Sequence, residues 1–162
     1  QRITDEEVEL NYLIKSIIDF VNFSAKKQNI LIYFRSEKHP VTIKANSNEI
    51  KQVILNLLKN SFEAMPDGGT IDIRSDIKTI EGNPAAEITL VDSGVGIDIN
   101  NMNQIFLPFF STKKGNENNK GLGLSISYRI IEKYNGTINV ENLIHGGVKF
   151  RITIPAQQKL PF

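Results

Sequence analysis

The chain has 162 residues, which makes one domain the simplest organisation and leaves room to bury roughly 70% of the surface its unfolded polymer would expose. With 19 Lys and Arg against 18 Asp and Glu, the net charge is +1, so the long-range field is weak, nothing suggests a nucleic-acid footprint, and any anion must be held by local groups. Cysteine is absent and only His39 and His145 offer imidazole, which excludes disulfides, thiolate metal sites and a histidine zinc centre.

No apolar run approaches the roughly 20 residues that span a bilayer, and no charged-then-apolar leader opens the sequence. The expectation is a soluble, cytoplasmic piece. Because it opens on Gln1, it reads as a segment of a longer parent, with any membrane anchor elsewhere.

In chain order, Thr4 followed by Glu7 reads as a capping box for a first helix, whose inward stripe is Leu10, Leu13, Ile14, Ile17, Ile18 and Val21. Lys26 and Lys27 suit the negative end of its dipole, and Asn29 can close it in a left-handed turn. Two β-branched runs follow at 30–36 and 41–45, separated by His39-Pro40, and are expected to pair as a hairpin. Ile50, Val53, Ile54, Leu57, Leu58 and Ser61 form the stripe of a second helix that stops near Met65-Pro66-Asp67-Gly68-Gly69. Alternation then marks strands through Ile71, Ile73 and Ile77, through Ile88 and Leu90, and through Ile138 and Val140 with Val148, Phe150, Ile152 and Ile154. Residues 92–121 lack periodicity and carry Phe106-Leu107-Pro108-Phe109-Phe110, a length that a compact domain tolerates when the segment works as a lid. Leu122, Ile126, Ile130 and Tyr134 predict a third helix closed by Asn135-Gly136. This order predicts a two-layer α/β sandwich, a mixed sheet covered by helices on one face.

Asn56, Asn60 and Glu63 fall on one ridge of the second helix, beside its apolar stripe. Amides at such a border reach into a cleft, and an amide oxygen suits Mg²⁺, which takes oxygen ligands and keeps waters and phosphate oxygens for its other positions. Asparagines at this spacing can equally decorate an exposed helix. Asp92 must point inward with Ile88 and Leu90, so its carboxylate needs a donor, either backbone N–H groups of the turn Asp92-Ser93-Gly94-Val95-Gly96 or a ligand such as an adenine amino group. Gly94 and Gly96 would let a base approach the backbone. Gly121 and Gly123 open the third helix, where free N–H groups attract phosphate, with Lys113, Lys114 and Lys120 beside them; the same glycines could simply cap a helix. Neither a P-loop nor a Rossmann fingerprint is present.

In this order the segments resemble the ATP-binding catalytic domain of bacterial sensor histidine kinases, in the superfamily shared with gyrase B, a heat-shock chaperone and mismatch-repair ATPases. The resemblance covers about Leu10 to Pro155. It implies a Bergerat-type α/β sandwich with ATP between the second helix and a lid at 97–120, residues 1–5 being the end of a linker from a phosphoacceptor domain. "NLLKNSFEA" looks like the N box, with Asn60 as the Mg²⁺ ligand, Asn56 near the phosphates and Glu63 beside them. "DSGVG" looks like the first glycine box, with Asp92 on the adenine amine, and "FLPFFSTK" like the phenylalanine box, with Lys113 near the phosphates. "KGLGL" looks like the second glycine box, and "HGGVKFRITIP" is similar to the closing glycine-rich strand. The resemblance further sets Ile97, Phe110, Thr112, Leu122 and Leu124 along the nucleotide. Asn119 stands where many members have glycine, and Glu63-Ala64 where many have Lys-Tyr, which is closer to the nitrogen-regulatory and sporulation-type kinases.

Hydrolysing relatives carry a glutamate base where this chain has Asn56, an amide without useful basicity, so slow or absent ATP hydrolysis is expected. By the resemblance, the domain would present the γ-phosphate of Mg-ATP to a histidine on a separate dimerisation domain of the same parent, and a response regulator would be served indirectly. Neither His39 nor His145 has the helical His-Glu context of that acceptor, and the segment alone is expected to be monomeric. An anti-sigma-factor-type serine kinase, an ATPase or an inactive nucleotide-binding module of the superfamily remain alternatives.

Overall fold

The computed structural model describes residues 5–36, 39–108 and 123–157. The elements run β1 (Glu6–Glu9), α1 (Leu10–Lys27), β2 (Ile30–Ser36), β3 (Thr42–Ala45), α2 (Ser47–Glu63), β4 (Gly69–Ile80), β5 (Asn83–Asp92), α3 (Gly123–Lys133), β6 (Thr137–Asn142) and β7 (Val148–Pro155). Five strands form one sheet in the order β2-β4-β5-β7-β6. β2 and β4 are parallel and the other pairs antiparallel, so the sheet is mixed as predicted.

One face of this sheet meets the helices. Ile71, Ile73, Ile88, Leu90, Val148, Phe150, Ile152 and Ile154 alternate inward and are buried, against Ile14 and Ile17 of α1, Ile50, Val53, Leu57 and Leu58 of α2, and Ile131 of α3. Each such side chain contributes about 1.5–3 kcal/mol when fully buried, so this layer contact is the main source of stability. The outward positions carry charge: Asp72 lies 3.8 Å from both Arg35 and Arg74, and Glu87 lies 3.7 Å from Arg151.

The inward stripe predicted for α2 is buried at every position. Its N-cap is Asn46, whose Oδ1 accepts from Asn48 N at 2.9 Å and Glu49 N at 3.2 Å. Its other end is held from α1, where Gln28 Nε2 donates to Phe62 O at 2.6 Å and Met65 O at 2.9 Å, adding a second donor to carbonyls that also accept from Met65 N and Gly68 N. Asn29 has φ +59°, the left-handed turn expected of it, and Asn135 closes α3 with φ +58°.

Two expectations fail. The capping box at Thr4 and Glu7 does not start α1: Glu7 lies in β1, and the cap is Glu9, whose carboxylate accepts from Asn11 N at 3.2 Å and Tyr12 N at 2.6 Å. Thr4 lies outside the described residues. Nor do β2 and β3 form a hairpin. β3 pairs antiparallel with β1 in a two-stranded sheet, and β2 pairs with β4. The long-range partners win because they let Ile43 and Ala45 on one strand and Ile30 on the other be buried against the helices.

Candidate functional site

Asp92 ends β5 and follows the parity set by Ile88 and Leu90, so its side chain points beneath the helices and is 3% exposed. A buried carboxylate costs several kcal/mol unless donors meet it. Three do. Ser61 Oγ of α2 donates to Oδ2 at 2.9 Å, and Gly94 N and Val148 N donate to Oδ1 at 3.0 and 3.3 Å. An ionised carboxylate offers about four acceptor positions, so one further donor, such as an exocyclic amine, can still be accommodated.

The turn after Asp92 is fitted to the protein at each glycine. A Cβ at Gly94 would meet Ala64 O at 2.8 Å, so the close approach that demands glycine there is to the end of α2. Gly96 has φ +83°, and a Cβ at Gly147 would lie 1.9 Å from Asp92 O. The β6–β7 turn therefore lies directly against the Asp92 turn.

On α2, Asn56 and Asn60 are half-buried. Asn56 Nδ2 donates to Gly123 O at 3.1 Å and to Ser127 Oγ at 3.3 Å, while Ser127 Oγ donates to Gly123 O at 2.9 Å. These bonds tie the asparagine helix to the start of the glycine-led one. With both amide hydrogens committed, Asn56 presents its carbonyl oxygen and cannot donate to a phosphate in this arrangement. The side chain of Asn60 has no hydrogen bond among the described residues, so its amide is available to a ligand. Glu63 borders a groove of about 600 Å³ between α1 and α2, with Val21, Leu55, Phe62 and Pro66. That groove lies on the α1 flank of α2, away from the α3 contact of Asn56, and is not the site built around Asp92.

At the far end, α2 and α3 are joined by Tyr134 Oη, which accepts from Asn46 N at 3.0 Å, and by a 2.8 Å ion pair between Lys133 and Glu49. The hydrogen bond to Glu49 raises the Lys133 pKa above its ordinary value. The two helices are thus fixed at both ends of their contact.

Residues 99–107 follow the turn as a succession of hydrogen-bonded bends, including Asn101 N to Asp98 O at 2.9 Å and Leu107 N to Gln104 O at 2.9 Å. Ile105 is buried, and Phe106 packs on the core with its ring 5.8 Å from that of Tyr128 on α3. Phe106 therefore serves packing. Leu124 is partly buried on the same core. Phe109, Phe110, Thr112, Lys113, Lys114, Asn119, Lys120, Gly121 and Leu122 lie outside the described residues.

Four residues of the site carried little or no signal in the sequence. Ser61 lies on the apolar stripe of α2, and a hydroxyl on such a stripe signals an inward polar partner. Ser127, Val148 and Asn142 act through contacts 71, 56 and 45 residues away, which no local pattern encodes.

Among the described residues, no cluster of three or more His, Cys, Asp or Glu could hold a metal, and no helix is long and apolar enough to cross a membrane. The available oxygen set, the Asn60 amide with the unengaged Asn56 carbonyl nearby on the same ridge, fits a hard cation that brings phosphate oxygens with it.

Residues 45–158 match the family described as histidine kinase-, DNA gyrase B- and HSP90-like ATPase. Sporulation kinase A of Bacillus subtilis is 37% identical over 155 residues, which cover 96% of this chain and 24% of that protein. The chain spans about a quarter of the length of that relative. Among solved structures, the catalytic domain of histidine kinase ThkA, nucleotide-free, superposes with a TM-score of 0.81 at 35% identity, covering 93% of this chain and 95% of the other. A structure of ThkA in complex with response regulator protein TrrA matches at 33% identity and TM-score 0.77, covering 93% of this chain and 41% of that one.

Proposed function

Because the chain belongs to the family of histidine kinase-, DNA gyrase B- and HSP90-like ATPases, and is a catalytic domain of the histidine kinase kind, we propose that it binds Mg-ATP between α2 and the Asp92 turn and presents the γ-phosphate to a histidine on a separate dimerisation domain of its parent. The observation that carries this reading is the buried Asp92 carboxylate, held by donors from α2, its own turn and β7, with an acceptor position left over.

In this reading Asp92 accepts from the adenine amine and fixes the base. The N–H groups of the first turn of α3, which have no partner within the helix, meet phosphate oxygens. Asn60 supplies an amide oxygen to Mg²⁺, which when bound offsets charge on the phosphates. Lys113, beyond the described residues, adds a second positive charge. Phosphoryl transfer needs little covalent help from the protein, so positioning and electrostatics carry the reaction. Asn56 lacks the basicity to activate water, and its amide is engaged with α3, which supports transfer over hydrolysis.

The acceptor is expected outside this segment. His39 lies between β2 and β3 and His145 in the β6–β7 turn, both exposed and neither on a helix. The relation to a response regulator is indirect in this proposal, through the phosphorylated acceptor; ThkA, for its part, is known in complex with TrrA.

The test is to incubate the chain with γ-labelled ATP, Mg²⁺ and a separately produced phosphoacceptor domain. Label that appears on that domain and is lost in acid supports the reading. Acid-stable label would point to a hydroxyl acceptor and a serine kinase, and rapid release of free phosphate to an ATPase.

A further inference from the structure

We infer that Asn142 is a positioning residue for nucleotide binding, whose side-chain amide clasps the backbone of Ile97 and so fixes the far end of the Asp92 turn. This rests on the proposed binding of Mg-ATP at that turn.

The geometry is a two-point contact. Asn142 Oδ1 accepts from Ile97 N at 2.8 Å, and Asn142 Nδ2 donates to Ile97 O at 2.6 Å. One side chain thereby occupies both backbone groups of a residue 45 positions away, as a neighbouring strand would. Asn142 is the last residue of β6, paired with Val148 across the hairpin. The same hairpin holds the other end of the turn, since Val148 N donates to Asp92 Oδ1 at 3.3 Å and Gly147 packs on Asp92 O. Asp92 and Ile97 are therefore both braced by the segment from Asn142 to Val148.

The intervening backbone is shaped to permit this. Gly96 has φ +83°, and a Cβ there would lie 3.1 Å from Asn142 Oδ1. Glycine at 96 is thus favoured by its dihedral, and a Cβ there would crowd the clasp. Ile97 in turn packs its side chain on the core, so its backbone position sets the direction in which residues 98–108 leave the turn.

Only an amide supplies a donor and an acceptor at this reach. Aspartate would accept from Ile97 N but oppose Ile97 O, and alanine would do neither. Because Asn142 is exposed and lies at the end of an edge strand, its loss should act on the turn more than on the global fold.

Asn142→Ala and Asn142→Asp should each be compared with the unaltered chain for ATP affinity by calorimetry, for amide exchange at Ile97, and for the unfolding midpoint in urea. The expected result is a threefold to tenfold loss of ATP affinity in both variants, with Ile97 exchange accelerated and the unfolding midpoint nearly unchanged. Unaltered affinity in Asn142→Ala would overturn the inference. So would a loss of affinity that merely tracks global destabilisation, without selective exchange at Ile97. If the unaltered chain bound no ATP, the functional reading itself would fail and the clasp would lose its role with it.

Discussion

Ser61 Oγ lies 2.9 Å from Asp92 Oδ2, and both groups are buried, so a single hydrogen bond joins the asparagine-bearing helix to the turn that is proposed to read the base. It links the two layers of the sandwich at the point where ligand recognition is assigned.

Ser61→Ala removes the donor from a buried carboxylate. Hydrogen bonds to charged groups contribute about 1.5–3 kcal/mol, and the unfolding free energy in urea should fall by about that amount. An unchanged unfolding curve would mean that Asp92 does not depend on this hydroxyl.

Asp92→Asn keeps the size of the side chain and replaces one acceptor oxygen by a donor. ATP affinity should weaken roughly tenfold to a hundredfold, the equivalent of about 1.5–3 kcal/mol, when measured by calorimetry. Unchanged affinity would remove Asp92 from adenine recognition.

Asn60→Ala separates ligand binding from stability. The side chain has no hydrogen bond among the described residues, and alanine is the better helix former by up to about 0.7 kcal/mol, so the folded state should be as stable or slightly more stable. The gain in ATP affinity that Mg²⁺ confers should shrink at least tenfold, while binding in the presence of a chelator should stay as it was. A variant that still responds fully to Mg²⁺ would place the metal elsewhere.

Two glycines with positive φ offer a matched comparison. Gly82, φ +80°, closes the β4–β5 hairpin with nothing within 4 Å of a Cβ, so Gly82→Ala should cost only the backbone strain of about 1–2 kcal/mol. At Gly147, φ +93°, the Cβ would collide with Asp92 O, and relief requires moving the turn itself. Gly147→Ala should therefore lose nucleotide binding as well as stability, and equal effects of the two substitutions on thermal unfolding and ATP affinity would contradict the packing described for the hairpin.

The parts of the fold that were legible in the sequence are those fixed by local periodicity. The stripe from Ile50 to Ser61 has the helical period, and every one of its positions is buried. Asp92 could be aimed inward because strand parity leaves it no other side once Ile88 and Leu90 are assigned. Strand pairing was not legible in the same way. β2 finds its partner in β4, with Ile30 opposite Gly69, whereas the neighbour in sequence, β3, turns to β1. The start of α1 departs from the capping-box pattern because Glu9, an uncommon cap, takes the place of the threonine that the pattern favours. In the site, the clasp of Asn142 on Ile97 was invisible because an asparagine at a strand end looks like any turn residue until the chain has folded.

The central claim is that ATP is held at Asp92 with magnesium at Asn60, and titration calorimetry of the unaltered chain with ATP, run once with Mg²⁺ and once with a chelator, tests it most directly. The account predicts saturable one-site heat that strengthens with Mg²⁺ and falls away in Asp92→Asn. No heat from ATP under either condition would contradict it.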